Sequence, residues 1–503
     1  MPRMRGVRMD ADEGRWANEI QNAAPFPDYM VIDGDRVSAG PRDRIETCDP
    51  GSGLLLHHVP AGTADDVNSA VDAARRALSG PWQSIPPRSR GKILWAIGER
   101  IRGGLDRIAL IETLDSGKPL RDARASVERA ADYFTYYAGL TDKLEGTSVP
   151  LGRDKVCFTE RVPIGVTGHI VPWNVPLSMV ARGLAPALAC GNTAVVKPAE
   201  DTPFTAILLS EICLEAGVPP GVVNVVTGTG RTAGKALTEH PDVRHVTFTG
   251  SVSTGKTVMK AAAGHVASVT LELGGKSPHV ILRDANLDHA VPDILNAVFK
   301  NAGQICSSGT RLLVERSIQD ALIDRLTTKT SAMRLGHGLD NPDMGPLISS
   351  RQMQNVAGHI DRAKERGVFI VTGGEPASVN GCEGGFYFQP TIAAPLDADD
   401  ELAWKEIFGP VLAVIPIEDL DHAIEVGNCT PFGLAAGIHT RDIAKAMRFA
   451  REIEAGQVYV NGYHGAGDTV PFGGMKQSGI GREKGMAGIE QYCEIKSVTV
   501  TIT

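Results

Sequence analysis

Cys306 stands in the stretch Asn-Ala-Gly-Gln-Ile-Cys-Ser-Ser-Gly-Thr, directly after an apolar segment of helical spacing at 294–299. A thiol in a Gly- and Ser-flanked loop can be reached by a substrate, and as a thiolate it is a strong nucleophile. Most isolated cysteines are inert core residues, so Cys306 needs companions before it means chemistry. Glu272 lies in Ser-Val-Thr-Leu-Glu-Leu-Gly-Gly-Lys-Ser-Pro, where a β-branched strand runs into a Gly-Gly turn. A carboxylate at such a strand end can serve as base on water, and apolar neighbours such as Leu271 and Leu273 would raise its pKa toward neutrality. Asn174 sits between Pro172 and Pro176. Turn asparagines commonly serve the backbone, but a rigid flank also makes the amide a preorganised donor to an oxyanion.

Two glycine patterns suggest phosphate. Gly228-Thr-Gly230-Arg-Thr-Ala-Gly234 follows an apolar run at 222–227 and precedes a helical segment. It is close to a dinucleotide fingerprint with one extra residue before the third glycine, and equally close to a plain strand-to-helix turn. Gly250-Ser-Val-Ser-Thr-Gly255-Lys256-Thr257 satisfies the P-loop pattern of nucleoside triphosphate hydrolases, with an apolar run at 246–248 before it. The apolar stretch ending at Asp284 could then be offered as the strand whose terminal Asp holds magnesium.

The elements that must position these residues follow from periodicity. Residues 65–78 place Val67, Val71, Ala74 and Leu78 on one side of a helix that Gly80 and Pro81 stop. Short apolar runs at 165–171, 193–197, 222–227, 245–248, 279–282 and 312–315 alternate with helical segments, which predicts an α/β fold of parallel strands and crossover helices. Two segments break the rhythm, 148–162 and 494–503. The second alternates Val498, Val500 and Ile502 with polar residues, so it must pair with a sheet edge of its own or another subunit.

The chain has 503 residues, more than one hydrophobic core usually serves, so two or three units are expected. Its net charge of -8 and lack of a basic tract exclude a nucleic-acid partner. No apolar run reaches the roughly 18 to 20 residues needed to span a bilayer, and no targeting signal is read in residues 1–8. The eight cysteines form no Cys-x-x-Cys pair. Such usage fits reduced thiols in the cytoplasm, and no metal site is expected.

Pro172-Trp173-Asn174, Leu271-Glu272-Leu273-Gly274-Gly275-Lys276 and Gly303-Gln304-Ile305-Cys306 resemble, in order, the signature segments of the aldehyde dehydrogenase superfamily. Lys197-Pro-Ala-Glu200, Glu406-Ile-Phe408-Gly-Pro, Thr430-Pro-Phe-Gly-Leu and Pro471-Phe472-Gly-Gly add to the resemblance, which runs from about residue 46 to 503. It implies a Rossmann-like NAD-binding domain at 26–144 and 164–274 after an N-terminal tail at 1–25. An α/β catalytic domain at 275–475 and a small β oligomerisation extension at 145–163 and 485–503 complete the expected subunit, a homo-oligomer of dimer or tetramer size.

The same resemblance implies that Cys306 attacks an aldehyde, Asn174 holds the oxyanion, and Glu272 activates the water that releases a carboxylic acid. Glu272 favours a free acid over transfer to coenzyme A. Ile170, Trp173, Lys197, Glu200, Gly230, Phe248, Gly250, Ser251, Leu273, Glu406 and Phe408 become the NAD contacts. Glu200 favours NAD by repelling a 2′-phosphate, while Lys197 nearby leaves NADP tolerance open. The tunnel positions carry over to Val175, Met179, Arg182, Ile305, Ser307, His464, Ala466 and Phe472. Small Val175 and Ala466, with polar Arg182 and His464, suggest a bulky aldehyde whose polar or acidic far end meets Arg182. A P-loop hydrolase and a non-catalytic superfamily member are the alternatives.

Overall fold

The structure, a computed structural model, describes residues 11–40, 43–463, 465 and 467–502. The expectations for residues 1–10, His464 and Ala466 therefore lie outside the described residues.

Two open α/β sheets form the body. The first has eight strands and contains, side by side and parallel, Val223–Val225, Thr193–Lys197, Val166–Ile170, Val243–Thr249 and Ser268–Glu272. Antiparallel strands flank them: Tyr29–Ile32 and Asp35–Ser38 at one edge, Gly479–Ile480 at the other. Strands such as Thr193–Lys197 are buried along their whole length, which is why they read as continuous apolar runs. Chain order reverses between Val166–Ile170 and Val243–Thr249, so this sheet has its switch point there.

The second sheet has seven strands, six of them parallel: Thr391–Ala393, Val411–Ile417, Arg311–Glu315, Pro278–Ile281, Ala435–His439 and Gln457–Val460. Its own core gathers Val280, Leu313, Val414 and Ile438, distinct from the cores on the two faces of the first sheet. The helix expected at 65–78 is Ala64–Leu78. A reciprocal cap opens it: Thr63 N–H donates to the Asp66 carboxylate at 2.8 Å, and Asp66 N–H to the Thr63 hydroxyl.

The two segments that broke the α/β rhythm meet. Cys493–Thr501 pairs antiparallel with Lys155–Pro163, which pairs with Ser148–Val149. Within the segment read as an N-terminal tail, Ala11–Ala23 is a helix docked through Trp16. The Trp16 ring is buried, stacks on His337 at 3.7 Å and donates Nε1–H to the Gly381 carbonyl at 2.8 Å. A helix anchored by one aromatic leaves little periodic signal, which is why the sequence did not reveal it. Among the described residues no helix is long and apolar enough to cross a membrane.

Candidate active site

The first sheet presents its carboxyl edge, and the second its amino edge, to a common region. Glu272 ends the strand Ser268–Glu272, whereas Cys306 lies in the loop that precedes Arg311–Glu315. That loop follows the helix Leu287–Phe299 through the turn Lys300–Gly303, where Asn301, Ala302 and Gly303 all have φ between 51° and 72°. Left-handed geometry is strained for Ala302. At Gly303 a β-carbon would fall 2.1 Å from the Gly409 carbonyl, so only glycine fits. The turn is held by side chains: Gln304 donates to the Asn301 carbonyl and accepts from Ile348 N–H at 2.9 Å, and Asn301 donates to the Asn174 carbonyl at 3.1 Å. Tyr463 donates its hydroxyl to the Ser307 carbonyl at 2.9 Å, bracing the residue next to the thiol.

Asn174 and Cys306 are tied through this loop. The Asn174 amide donates to the Gln304 carbonyl at 2.8 Å, two residues before the thiol, while its own oxygen has no partner among the described residues. The second amide hydrogen is thus presented beside Cys306. Burial pushes the Cys306 thiol up to about 12; Arg182 opposes that rise, and Glu272 and Glu406 add to it. The thiol therefore needs a base before it can attack.

Glu272 is that kind of base. It is 1% exposed and neither carboxylate oxygen has a hydrogen-bond partner among the described residues. Burial holds its pKa well above the ordinary carboxylate range. Glu483 raises it further, while Arg182, Arg482 and Lys484 act in the opposite direction. A buried carboxyl without partners is costly unless it serves a function.

Arg182 sits on the helix Pro176–Cys190 that starts just after Asn174. Its side chain is 7% exposed, forms an ion pair with the equally buried Glu483, and lies with its guanidinium 5.2 Å from the Phe472 ring centroid. Burial alone would lower its pKa, but Glu483 and then Glu272 keep it firmly charged. The expectation that Arg182 meets an acidic substrate group loses its basis, because its charge is already matched. Sequence reasoning missed Glu483. Its one local signal is the charged triplet Arg482-Glu483-Lys484 between Gly481 and Gly485.

Of the other tunnel positions, Val175 caps that helix, Met179 N–H bonds its carbonyl at 3.0 Å, and Ile305 and Ser307 flank the thiol.

The expected cofactor residues gather at the carboxyl edge of the first sheet. Ile170, Lys197 and Phe248 lie at or beside three strand ends, and Gly250-Ser251 opens the helix Val252–Ala263. A β-carbon on Gly250 would lie 2.6 Å from the Phe248 ring, so the bare glycine keeps the mouth of that helix open. Ser251 caps the helix by accepting Thr254 N–H, leaving a positive helix end at the surface. Lys197 donates to the Gly228 carbonyl at 2.8 Å and lies 3.6 Å from Glu200, whose carboxylate accepts Gly230 N–H at 2.6 Å.

Glu406 accepts Gly275 N–H at 3.1 Å, and burial raises its pKa to about 7. Phe408, at φ 55°, meets Trp173 edge to face at 5.3 Å. Leu273 packs against Gly255, where a β-carbon would lie 2.5 Å away.

The P-loop reading fails on geometry. Only Gly250 and Ser251 separate the strand ending at Thr249 from the helix, so residues 252–257 are helical and cannot wrap a phosphate chain. Lys256 points away and donates to Gln477 at 2.9 Å. The glycines at 228–234 are a close-packed turn: a β-carbon on Gly228 would fall 2.9 Å from both Ala233 and the Gly62 carbonyl.

A thiol loop, an amide beside it, a buried carboxyl opposite and a nucleotide-type sheet edge define a dehydrogenase of the aldehyde type, and residues 37–498 match the model of the aldehyde dehydrogenase family. The chain belongs to that family. It is 41% identical over 475 residues to the betaine aldehyde dehydrogenase of Bacillus subtilis (strain 168), covering 93% of this chain and 96% of that one. It is also 41% identical over 485 residues to the phenylacetaldehyde dehydrogenase of Pseudomonas fluorescens, covering 94% and 96%. The crystal structure of betaine aldehyde dehydrogenase from Staphylococcus aureus in complex with NAD+ superposes with a TM-score of 0.94 at 36% identity, covering 97% of each chain.

Proposed function

We propose that the protein oxidises an aldehyde to its carboxylic acid with NAD, through a thioester on Cys306. The observation that carries this reading is the meeting of the Cys306 loop, the Asn174 amide and a Glu272 carboxyl with no hydrogen-bond partner among the described residues in one buried place. The Cys306 thiol, held at about 12, gives its proton to a base. Glu272, whose pKa burial raises above the ordinary carboxylate range, is the base we assign to take it. The sulfur attacks the carbonyl carbon, and the Asn174 amide with the Cys306 backbone N–H stabilises the oxyanion. When bound, NAD would supply the hydride acceptor, with Lys197 and Glu200 placed to hold the ribose, the Ser251 helix end the pyrophosphate, and Glu406 with Phe408 the reacting end; loss of the hydride from the carbon leaves the thioester on Cys306. Glu272, once it has released the thiol's proton to solvent, deprotonates the water that attacks the thioester; the C–S bond breaks, Cys306 leaves as the thiolate, and the acid departs.

Glu200 supports NAD over NADP, because its carboxylate would face a 2′-phosphate; Lys197 is already engaged by Gly228 and Glu200. Val175, Met179, Ile305 and Phe472 supply an apolar wall to the tunnel. With Arg182 neutralised, they suit a bulky, uncharged acyl group. The antiparallel extension exposes Val149, Val156, Ile495, Val500 and Ile502, and a second copy of the chain is the partner we assign to it. All eight cysteines are free thiols, which supports a reducing, cytoplasmic setting.

The test is an aldehyde panel with NAD and NADP, following reduced cofactor by absorbance and acid by chromatography. The reading requires equimolar acid and NADH from the native enzyme and none from Cys306→Ala. Acyl transfer to coenzyme A without acid, or oxidation by the variant, would refute it.

A further inference from the structure

Three side chains that the proposed reaction does not use meet on the far side of the nucleophile loop. In the second sheet the adjacent parallel strands Pro278–Ile281 and Ala435–His439 pair His279 with Gly437 and Ile281 with His439. Residues two apart on a strand share a face, so His279, Gly437 and His439 lie on one side of the sheet. Gly437 leaves room between the rings: a β-carbon there would sit 2.6 Å from Tyr463 and 3.1 Å from the His279 ring. Asp293 reaches the same place from the helix Leu287–Phe299.

The His439 Nε2 is 2.8 Å from Asp293 Oδ2, and His279 Nε2 is 3.8 Å from the same oxygen. One ligand atom from each residue lies within 4.8 Å of the others. A tetrahedral zinc ion bound about 2.1 Å from each donor holds them about 3.4 Å apart, a value these distances bracket. Both histidines are buried, His279 at 0% and His439 at 4% side-chain exposure, with Asp293 at 18%.

We propose that His279, Asp293 and His439 are the protein ligands of a single divalent transition-metal ion of the zinc class, distinct from the aldehyde site. Two imidazoles and one carboxylate are a donor set suited to that ion, with a remaining position for water. The carboxylate is oriented from outside the set, because Asp293 Oδ1 accepts Tyr463 N–H at 2.9 Å while Oδ2 faces the histidines. The donors meet between the face of the sheet and the helix Leu287–Phe299: His439 closes the carboxyl end of its strand, and His279 sits two register positions earlier on the neighbouring one. Of the three ligands, His439 borders a surface cavity of about 550 Å³, together with His289 and Asn461.

The site also bears on the nucleophile. Tyr463 joins Asp293 through its backbone N–H and the Ser307 carbonyl through its hydroxyl, so a bound ion fixes the strut beneath Cys306.

The experiment titrates chelator-treated Cys306→Ala protein with Co2+ and Zn2+, alongside Asp293→Asn and His439→Gln in the same background. His439→Gln keeps a hydrogen-bond donor toward Asp293, which preserves the fold; circular dichroism verifies it. Expected are one equivalent of metal, visible d–d bands without the near-ultraviolet band of a cysteine ligand, a raised Tm, and affinity lowered more than about 100-fold in either variant. Absence of stoichiometric metal, a cysteine charge-transfer band, or undiminished binding in a folded variant would overturn the proposal. Should a variant not fold, the stoichiometry and spectrum of the parent decide.

Discussion

Replacing Arg182 by methionine strands the Glu483 carboxylate in a place where both side chains are 8% exposed or less. Removing one member of a buried ion pair costs about 3–5 kcal/mol, because the remaining charge has lost its partner and its water. Replacing both, as Arg182→Met with Glu483→Leu, removes the two desolvation terms together and should restore most of that loss. Urea unfolding of the four proteins measures this cycle.

The same pair bears on the base in opposite senses, since Glu483 raises the Glu272 pKa and Arg182 lowers it. A base acts only when deprotonated, so a raised pKa places the acid limb of the pH-rate profile above the usual carboxylate range. Glu483→Gln leaves Arg182 unopposed and should move that limb to lower pH; Arg182→Met should move it to higher pH. A merely structural role would move both the same way or neither. Single variants costing under about 1 kcal/mol, or shifts of one sign, would refute the reasoning.

Other outcomes follow from the geometry. Lys256→Ala should leave steady aldehyde turnover within about threefold of native, because its partner is Gln477 and not a phosphate; a loss of several orders of magnitude would restore the P-loop reading. Trp16→Ala should cost about 3–5 kcal/mol in urea unfolding, as it empties a buried ring site and breaks the bond to Gly381, whereas no change would show the helix Ala11–Ala23 to be dispensable. Glu200→Gln should improve kcat/KM for NADP relative to NAD by about tenfold, read as the ratio of the two; an unchanged ratio would remove Glu200 from cofactor choice.

The strands were legible where they are buried on both faces: Thr193–Lys197 and Arg311–Glu315 read as continuous apolar runs. Alternation along 494–503 demanded a sheet edge without saying which; the strand Lys155–Pro163 supplies it. Strands such as Thr391–Ala393 and Val411–Ile417 were not singled out, and neither was the helix carrying Trp16, whose docking rests on contacts more than 300 residues away in sequence. At the site, Cys306, Glu272 and Asn174 carry local signatures, and the structure draws their loops together. Glu483 and Tyr463 do not, since each acts through a partner remote in the chain: Arg182 for one, Ser307 and Asp293 for the other. The substrate reading of Arg182 failed for that reason, as a charge seen alone in sequence was already neutralised in space.

The account turns on Glu272 as the group that frees the acyl enzyme. Rapid mixing of Glu272→Gln with aldehyde and NAD, followed by intact-protein and peptide mass spectrometry, tests it most directly. The account predicts one NADH per active site, then arrest, with the acyl mass on the peptide bearing Cys306. Steady turnover at the native rate, or a burst with no acyl group on Cys306, would contradict it.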